Sequence, residues 1–254
     1  MTVSIIIIGV AFIVFINIMM VKNAFDNHLI KQVLTFSNFP SDNEQVNIFF
    51  ISDIHRRLIS KKLLDQIDQP IDVVIIGGDL AEKGVSLKRV KKNLVELKKI
   101  APVYFVYGNN DEEIGARNLD ALLLELGIIV LNNCAITLQL KNGTLNLAGI
   151  DDISKQRDRL DKALEGICGF TILVSHHPNV ISQLGKKSEV DLVLSGHTHG
   201  GQIRLGPIGF YKKGSLDYYG HTAVLVSNGY GTTGIPMRIG AKSETHQLTI
   251  MKAN

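Results

Sequence analysis

Five short fragments of the 254-residue chain carry side chains suited to holding cations. They are Asp53-Ile54-His55, Gly77-Gly78-Asp79, Gly108-Asn109-Asn110-Asp111, Ser175-His176-His177-Pro178 and Gly196-His197-Thr198-His199-Gly200-Gly201-Gln202. An Asp and a His two residues apart face the same way on an extended segment, because side chains alternate with period two. Two glycines before Asp79 permit a tight turn and a close backbone approach. Asn109 offers an amide oxygen, a weaker donor than a carboxylate. Taken singly, the first three fragments read equally well as turns whose polar side chains bond their own backbone. The His-x-His pair bracketed by glycines points to metal ligation even by itself. Together Asp53, His55, Asp79, Asn109, His176, His197 and His199 supply carboxylate, amide and imidazole donors without a thiolate. Mixed nitrogen and oxygen ligation suits Mn2+, Fe or Zn2+ better than Cu(I) or Ca2+. Seven donors exceed the needs of one tetrahedral ion. They suit two ions about 3.5–4 Å apart that share a carboxylate, clamp a phosphate and acidify a water.

Each fragment follows a short apolar run, at 46–51, 71–76, 103–107, 170–174 and 191–194. Nearly continuous apolar runs of this length predict strands covered on both faces. In open α/β sheets, ligands bind outside the carboxyl ends of such strands. Helices are predicted at 86–100, 118–126 and 156–166, and further strands at 128–131, 135–140, 145–148, 223–227 and 246–251. Asn142-Gly143 predicts a hairpin turn.

The N-terminus differs from the rest. Residues 3–21 carry no charge, with Ser4 and Asn17 as the only polar side chains. At about 1.5 Å per residue they span roughly 28 Å, close to the ~30 Å hydrocarbon thickness. No basic n-region or small-residue cleavage site accompanies them, so the segment reads as a transmembrane anchor rather than a signal peptide. Lys22 and Lys31 follow it and no Lys or Arg precedes it. The expected location is the cell membrane, single-pass, with the catalytic domain on the cytoplasmic side. Residues 22–45 read as a tether and lead-in, with a first strand near 30–36, and 46–254 as one domain. A net charge of +3 and no aromatic-interleaved basic groove argue against a nucleic-acid partner. Cys134 and Cys168 form no CxxC pair and read as two buried thiols.

The ordered set of fragments resembles the calcineurin-like metallophosphoesterase superfamily. Segments 173–178, 196–203 and 229–238 are similar to its bacterial membrane-associated branch, which includes YkuE-like and YaeI-like phosphoesterases and relatives of the UDP-2,3-diacylglucosamine pyrophosphohydrolases. The likeness covers roughly 46–251. It implies an α/β fold, a four-layer α/β/β/α sandwich, here preceded by the N-terminal transmembrane helix. It also implies two divalent metal ions, Mn2+ before Fe or Zn2+. Asp53, His55 and His199 would hold one ion and Asn109, His176 and His197 the other, with Asp79 bridging and a bridging hydroxide as nucleophile. The implied activity is hydrolysis of phosphodiester, phosphomonoester or pyrophosphate bonds in a phosphorylated small molecule, nucleotide or lipid-linked substrate. Arg238 is a candidate contact for a substrate phosphate.

One position departs from the pattern. Most relatives have Gly-Asn-His-Asp/Glu, and that His steadies the phosphate or protonates the leaving group. Here Asn110, beside Asp111, stands in its place, and both are the catalytic candidates. An amide donates a hydrogen bond but is no general acid near neutral pH. Good leaving groups are therefore expected to be favoured, unless His177 or His221 supplies the proton. A non-catalytic, metal-containing scaffold is the alternative that the Asn110 substitution leaves open.

Overall fold

The structure, a computed structural model, describes residues 2–40, 44–185 and 189–253. The apolar N-terminal run forms the helix α1 (Thr2–Ala24), exposed on every side as far as residue 15 and touching the body only near its C-terminal end. Then come β1 (Leu29–Phe36), β2 (Gln45–Ile51), the one-turn helix α2 (Lys61–Leu64) and β3 (Val73–Gly77). The first half closes with α3 (Leu87–Lys98), β4 (Val103–Val106), α4 (Ala116–Glu125) and β5 (Ile129–Val130). The second runs β6 (Cys134–Leu140), β7 (Gly143–Gly149), α5 (Leu160–Ala163), β8 (Thr171–Val174) and β9 (Leu192–Ser195). The hairpin of β10 (Ser215–Tyr219) and β11 (Thr222–Val226) precedes the last strand, β12 (Thr245–Lys252).

The strands form two six-stranded sheets, ordered β1-β12-β2-β3-β4-β5 and β10-β11-β9-β8-β7-β6. Period two deals alternate side chains of the central strands to opposite cores, which is why their sequences are apolar throughout. Ile48, Phe50, Val73 and Ile75 meet Leu147, Ile172, Val174 and Leu194 between the sheets. Phe49, Ile51, Val74 and Ile76 point outward, onto Val90, Leu94 and Leu97 of α3 and Leu119 and Leu123 of α4. Ser86 caps α3 by accepting from Arg89 N–H, so the helix starts where its apolar stripe starts. On the far face Leu173, Val193 and Val224 are covered by Ala163 of α5 and by Val180 in the 3-10 turn Pro178–Ser182. The molecule is the α/β/β/α sandwich implied above, with a thin outer layer on the second sheet.

Several local expectations shift. The helix expected at 156–166 shrinks to α5, because Gln156 takes a left-handed φ of 56° and Arg159, at φ −133° and ψ 76°, is non-helical, so no helix passes through either. In the hairpin of β6 and β7, Leu140 pairs with Gly143, so the turn residues are Lys141 and Asn142 rather than Asn142-Gly143. The strand foreseen in the lead-in is β1, which lies parallel to β12 and forms an edge of the first sheet. Ser41, Asp42 and Asn43 of the expected tether lie outside the described residues. Both cysteines are free and exposed, contrary to the buried thiols expected.

Candidate metal centre

Asp53 and His55 follow β2, Asp79 follows β3, Asn109 follows β4, His176 follows β8, and His197 and His199 follow β9. These are the carboxyl ends of central strands in both sheets, and the seven side chains converge there. His55 Nε2 lies 3.1 Å from His199 Nε2, and His199 Nε2 lies 3.4 Å from Asp53 Oδ1. On the other side, Asn109 Oδ1 is 3.2 Å from His176 Nε2 and 2.9 Å from His197 Nδ1, and the two imidazole nitrogens are 3.2 Å apart. Asp79 Oδ2 sits between the two groups, 3.6 Å from His55 Nε2 and 3.4 Å from His176 Nε2. Ligand atoms of Asp53, His55 and His199 lie within 4.8 Å of one another, as do those of Asp53, Asp79 and His176.

Imidazole nitrogens aimed at one another in a buried site, with carboxylate oxygens between them, fit a cation better than they fit each other. The donors are nitrogen and oxygen only, as intermediate divalent cations prefer. The backbone points the same way. Eight described non-glycine residues have positive φ, and five are proposed ligands: Asp53, His55, Asp79, His197 and His199, at 48° to 70°. Each such residue costs about 1–3 kcal/mol, and strain of this kind gathers where function requires it.

Neighbouring residues fix these candidate ligands. Asp111 is buried, and its carboxylate accepts from the N–H groups of Asp79, Ala81 and Gly108 at 2.8–3.0 Å, clamping the β3 turn to the β4 turn. It acts on the site through Asp79. Asn110 donates twice to the Asp79 carboxylate, from its backbone N–H and from Nδ2, both at 2.9 Å. Gly78, at φ +83°, passes so close to His176 that a Cβ would lie 2.6 Å from Nδ1. Glu82, three residues after Asp79 and overlooked in the sequence, holds His55 Nδ1 at 3.0 Å and so turns Nε2 into the site.

Arg238 does not face the cleft. It is fully buried beneath His199. Its guanidinium donates to the carbonyls of His199, Asn228, Gly229, Gly231 and Ala241 and reaches His199 Nδ1 at 3.0 Å. His177 stacks beside His197 with ring centroids 4.2 Å apart. His221 lies in the turn between β10 and β11 and lines a different cavity, with Ile181, Leu184 and Tyr219. A cleft of about 440 Å³ opens over the ligands, walled by Asn110, Gln202, Ile203, Phe210, Tyr211 and Thr233.

Protonation follows from burial set against charge. Burial disfavours the His176 imidazolium, but the Asp79 carboxylate beside it prevails and holds its pKa up at about 10. Burial likewise opposes ionisation of Asp79, yet His176 and His55 keep it well below the ordinary carboxylate range. At His197 burial and the charges of His176 and His177 outweigh Asp79 and press it down to about 4. Burial also raises Asp53 and lowers His199. A cation held by His176 would displace its proton, so binding is expected to strengthen as pH rises.

The sequence of residues 46–201 matches the calcineurin-like phosphoesterase family. The chain belongs to that family. Among curated proteins, the chain is 40% identical to the uncharacterized protein YpbG of Bacillus subtilis, over 91% of this chain and 90% of that one. It is 31% identical to a zebrafish (Danio rerio) transmembrane protein with metallophosphoesterase domain, over 84% of this chain and 55% of that one. Among solved structures, Haemophilus influenzae NAD nucleotidase shares the fold, with a TM-score of 0.53 at 17% identity, over 75% of this chain and 46% of that one. The family binds divalent metals and acts on phosphorylated substrates. The apolar α1 is long and apolar enough to cross a membrane.

Proposed function

We propose that this protein is a two-metal phosphoesterase, anchored by α1, that hydrolyses phosphodiester, phosphomonoester or pyrophosphate bonds with a preference for good leaving groups. The carrying observation is that Asp53, His55 and His199 gather on one side and Asn109, His176 and His197 on the other, with Asp79 approaching both His55 and His176. Asp53, His55 and His199 would hold one divalent cation, Asn109, His176 and His197 the second, and Asp79 both. Bound there, two cations would neutralise phosphate oxygens and make water acidic enough to attack phosphorus. Hydrolysis joins the water oxygen to phosphorus and breaks the bond from phosphorus to the leaving oxygen. The nitrogen and oxygen donors favour Mn2+, with Fe or Zn2+ as alternatives. Lys22 in the last turn of α1 and Lys31 beyond it favour a cytoplasmic site.

The residues around the cleft explain the leaving-group preference. Asn110 spends its amide on Asp79 and has no acidic proton to give. His177, its imidazolium disfavoured first by burial, is a poor proton donor. Leaving oxygens that depart as stable anions need neither.

The reading is tested by turnover of bis-p-nitrophenyl phosphate, expected to appear with Mn2+, vanish with a chelator and return when Mn2+ is restored. No turnover with any of Mn2+, Fe2+ or Zn2+ would contradict it. Asn110→His is expected to speed hydrolysis of alkyl esters on the order of 10²-fold, the scale of general-acid catalysis, while changing p-nitrophenyl esters little. The check is the dependence of rate on leaving-group pKa, which should flatten in the variant. Parallel slopes would show that Asn110 does not set the preference.

A further inference from the structure

The cleft mouth carries apolar side chains that no part of the body covers. Leu205, Ile208 and Phe210 are 72%, 75% and 96% exposed, with Ile203 and Ile235 nearby on the surface. Their loop is firmly built. Leu205 and Ile208 exchange backbone hydrogen bonds of 3.0 and 3.1 Å. The buried Arg204 guanidinium crosses the loop base to the carbonyls of Gly200, Pro207 and Tyr211. Gln202 bonds Thr233 and Ile235, and Ile203 bridges Ile239, so the two apolar loops form one surface. A fixed scaffold that holds large apolar groups in water marks an interaction surface.

The end of α1 says what covers it. The backbone N–H of Arg238, three residues after Ile235, donates to the Met20 carbonyl at 2.9 Å, and Asn23 Nδ2 donates to the Arg238 carbonyl at 3.3 Å. Met20 lies within the uncharged run 3–21. Lys22, the first charged side chain after that run, comes two residues later, so the attachment marks the water-facing end of the apolar span. With α1 in a bilayer, the loop of Ile235 and Arg238 is held at headgroup depth. Lys213 and Lys242 share a cavity wall with Asn23 there, where cations meet anionic lipid.

We infer that the Ile203–Phe210 loop, with Ile235, docks into the lipid surface and sets the metal cleft against it, so that the phosphate taken is the headgroup of a membrane amphiphile. Ile203 and Phe210 belong both to the exposed patch and to the cleft wall, and so lie between a phosphate over the ligands and an acyl chain in the bilayer. The substrate class rests on the phosphoesterase reading above; the docking does not.

The chain contains no tryptophan, so one substitution installs a unique reporter. The full chain is reconstituted in phosphatidylcholine–phosphatidylglycerol vesicles whose acyl chains carry bromine. Ile208→Trp emission is expected to be quenched about twofold or more, as for a side chain ~5–10 Å inside the headgroup boundary. Leu124→Trp, on α4 and 82% exposed at the opposite edge of the first sheet, is expected to stay bright. Equal quenching of the two reporters would overturn the docking. In a second arm, a Leu205→Ser/Ile208→Ser variant is expected to lose about tenfold or more on vesicle-borne CDP-diacylglycerol, the scale of two lost apolar contacts, and to keep its turnover of soluble bis-p-nitrophenyl phosphate. Equal loss on both substrates, or no loss on either, would overturn the lipid substrate. Failure of the unsubstituted chain on the soluble diester would instead remove the phosphoesterase reading, and the quenching arm would still report docking.

Discussion

Asp79→Ala is expected to reduce phosphodiester turnover on the order of 10³-fold or more, the rate equivalent of several kcal/mol of lost charge stabilisation. Removing either of two independent metals would do less. Asp79 is the residue whose oxygen approaches one imidazole of each cluster, His55 at 3.6 Å and His176 at 3.4 Å. It also anchors Asn110 through both carboxylate oxygens. Loss of this carboxylate therefore loosens both halves of the site at once. The measurement is steady-state turnover of bis-p-nitrophenyl phosphate at saturating Mn2+, with Asp79→Asn alongside to separate charge from shape. Retention of more than about a tenth of the activity would be incompatible with a carboxylate shared by two catalytic cations.

The largest effect on stability is expected from Arg238→Ala. Among the described residues Arg238 is the largest side chain that is fully buried. Its guanidinium satisfies carbonyls from three segments: the His-x-His loop at His199, the loop of Asn228, Gly229 and Gly231, and the turn at Ala241. Truncation leaves those carbonyls buried without donors and opens a cavity. The expected cost is about 3–5 kcal/mol, in the range of broken buried polar networks. For a chain of this size that is roughly a 10 °C fall in Tm. Urea denaturation of the full chain in detergent measures it. Arg238→Lys, which keeps the charge but not the fork of donors, should recover only part of the loss. A change within experimental scatter for Arg238→Ala would mean that the loops hold themselves in place.

Arg238 also illustrates what a sequence conceals. An Arg in a glycine-rich loop near phosphate-binding motifs looks like a substrate contact, and only burial distinguishes a residue that reaches phosphate from one that supports the ligands from below. Glu82 escaped notice for a related reason: nothing in its spacing says that it meets His55. The seven candidate ligand positions, which the structure brings together, were legible because each stands at the end of an apolar strand, and buried strands declare themselves by composition. The sheet order was not legible, since β1 pairs with β12 across most of the chain. β10 was missed because Ser215–Tyr219 is half exposed and lacks a buried apolar run. The cleft-mouth loop carried a signal that went unread, apolar residues spaced around Gly206-Pro207, which a soluble turn has little reason to contain.

Two cations sharing Asp79 are the centre of this account, and equilibrium dialysis of the metal-depleted full chain against Mn2+ tests them most directly. The account predicts two ions bound per chain near pH 7, with release of the proton that His176, raised to about 10, holds before binding. In Asp79→Ala the stoichiometry should fall to one or none. A single ion per chain in the unsubstituted protein, or two ions retained without Asp79, would contradict it.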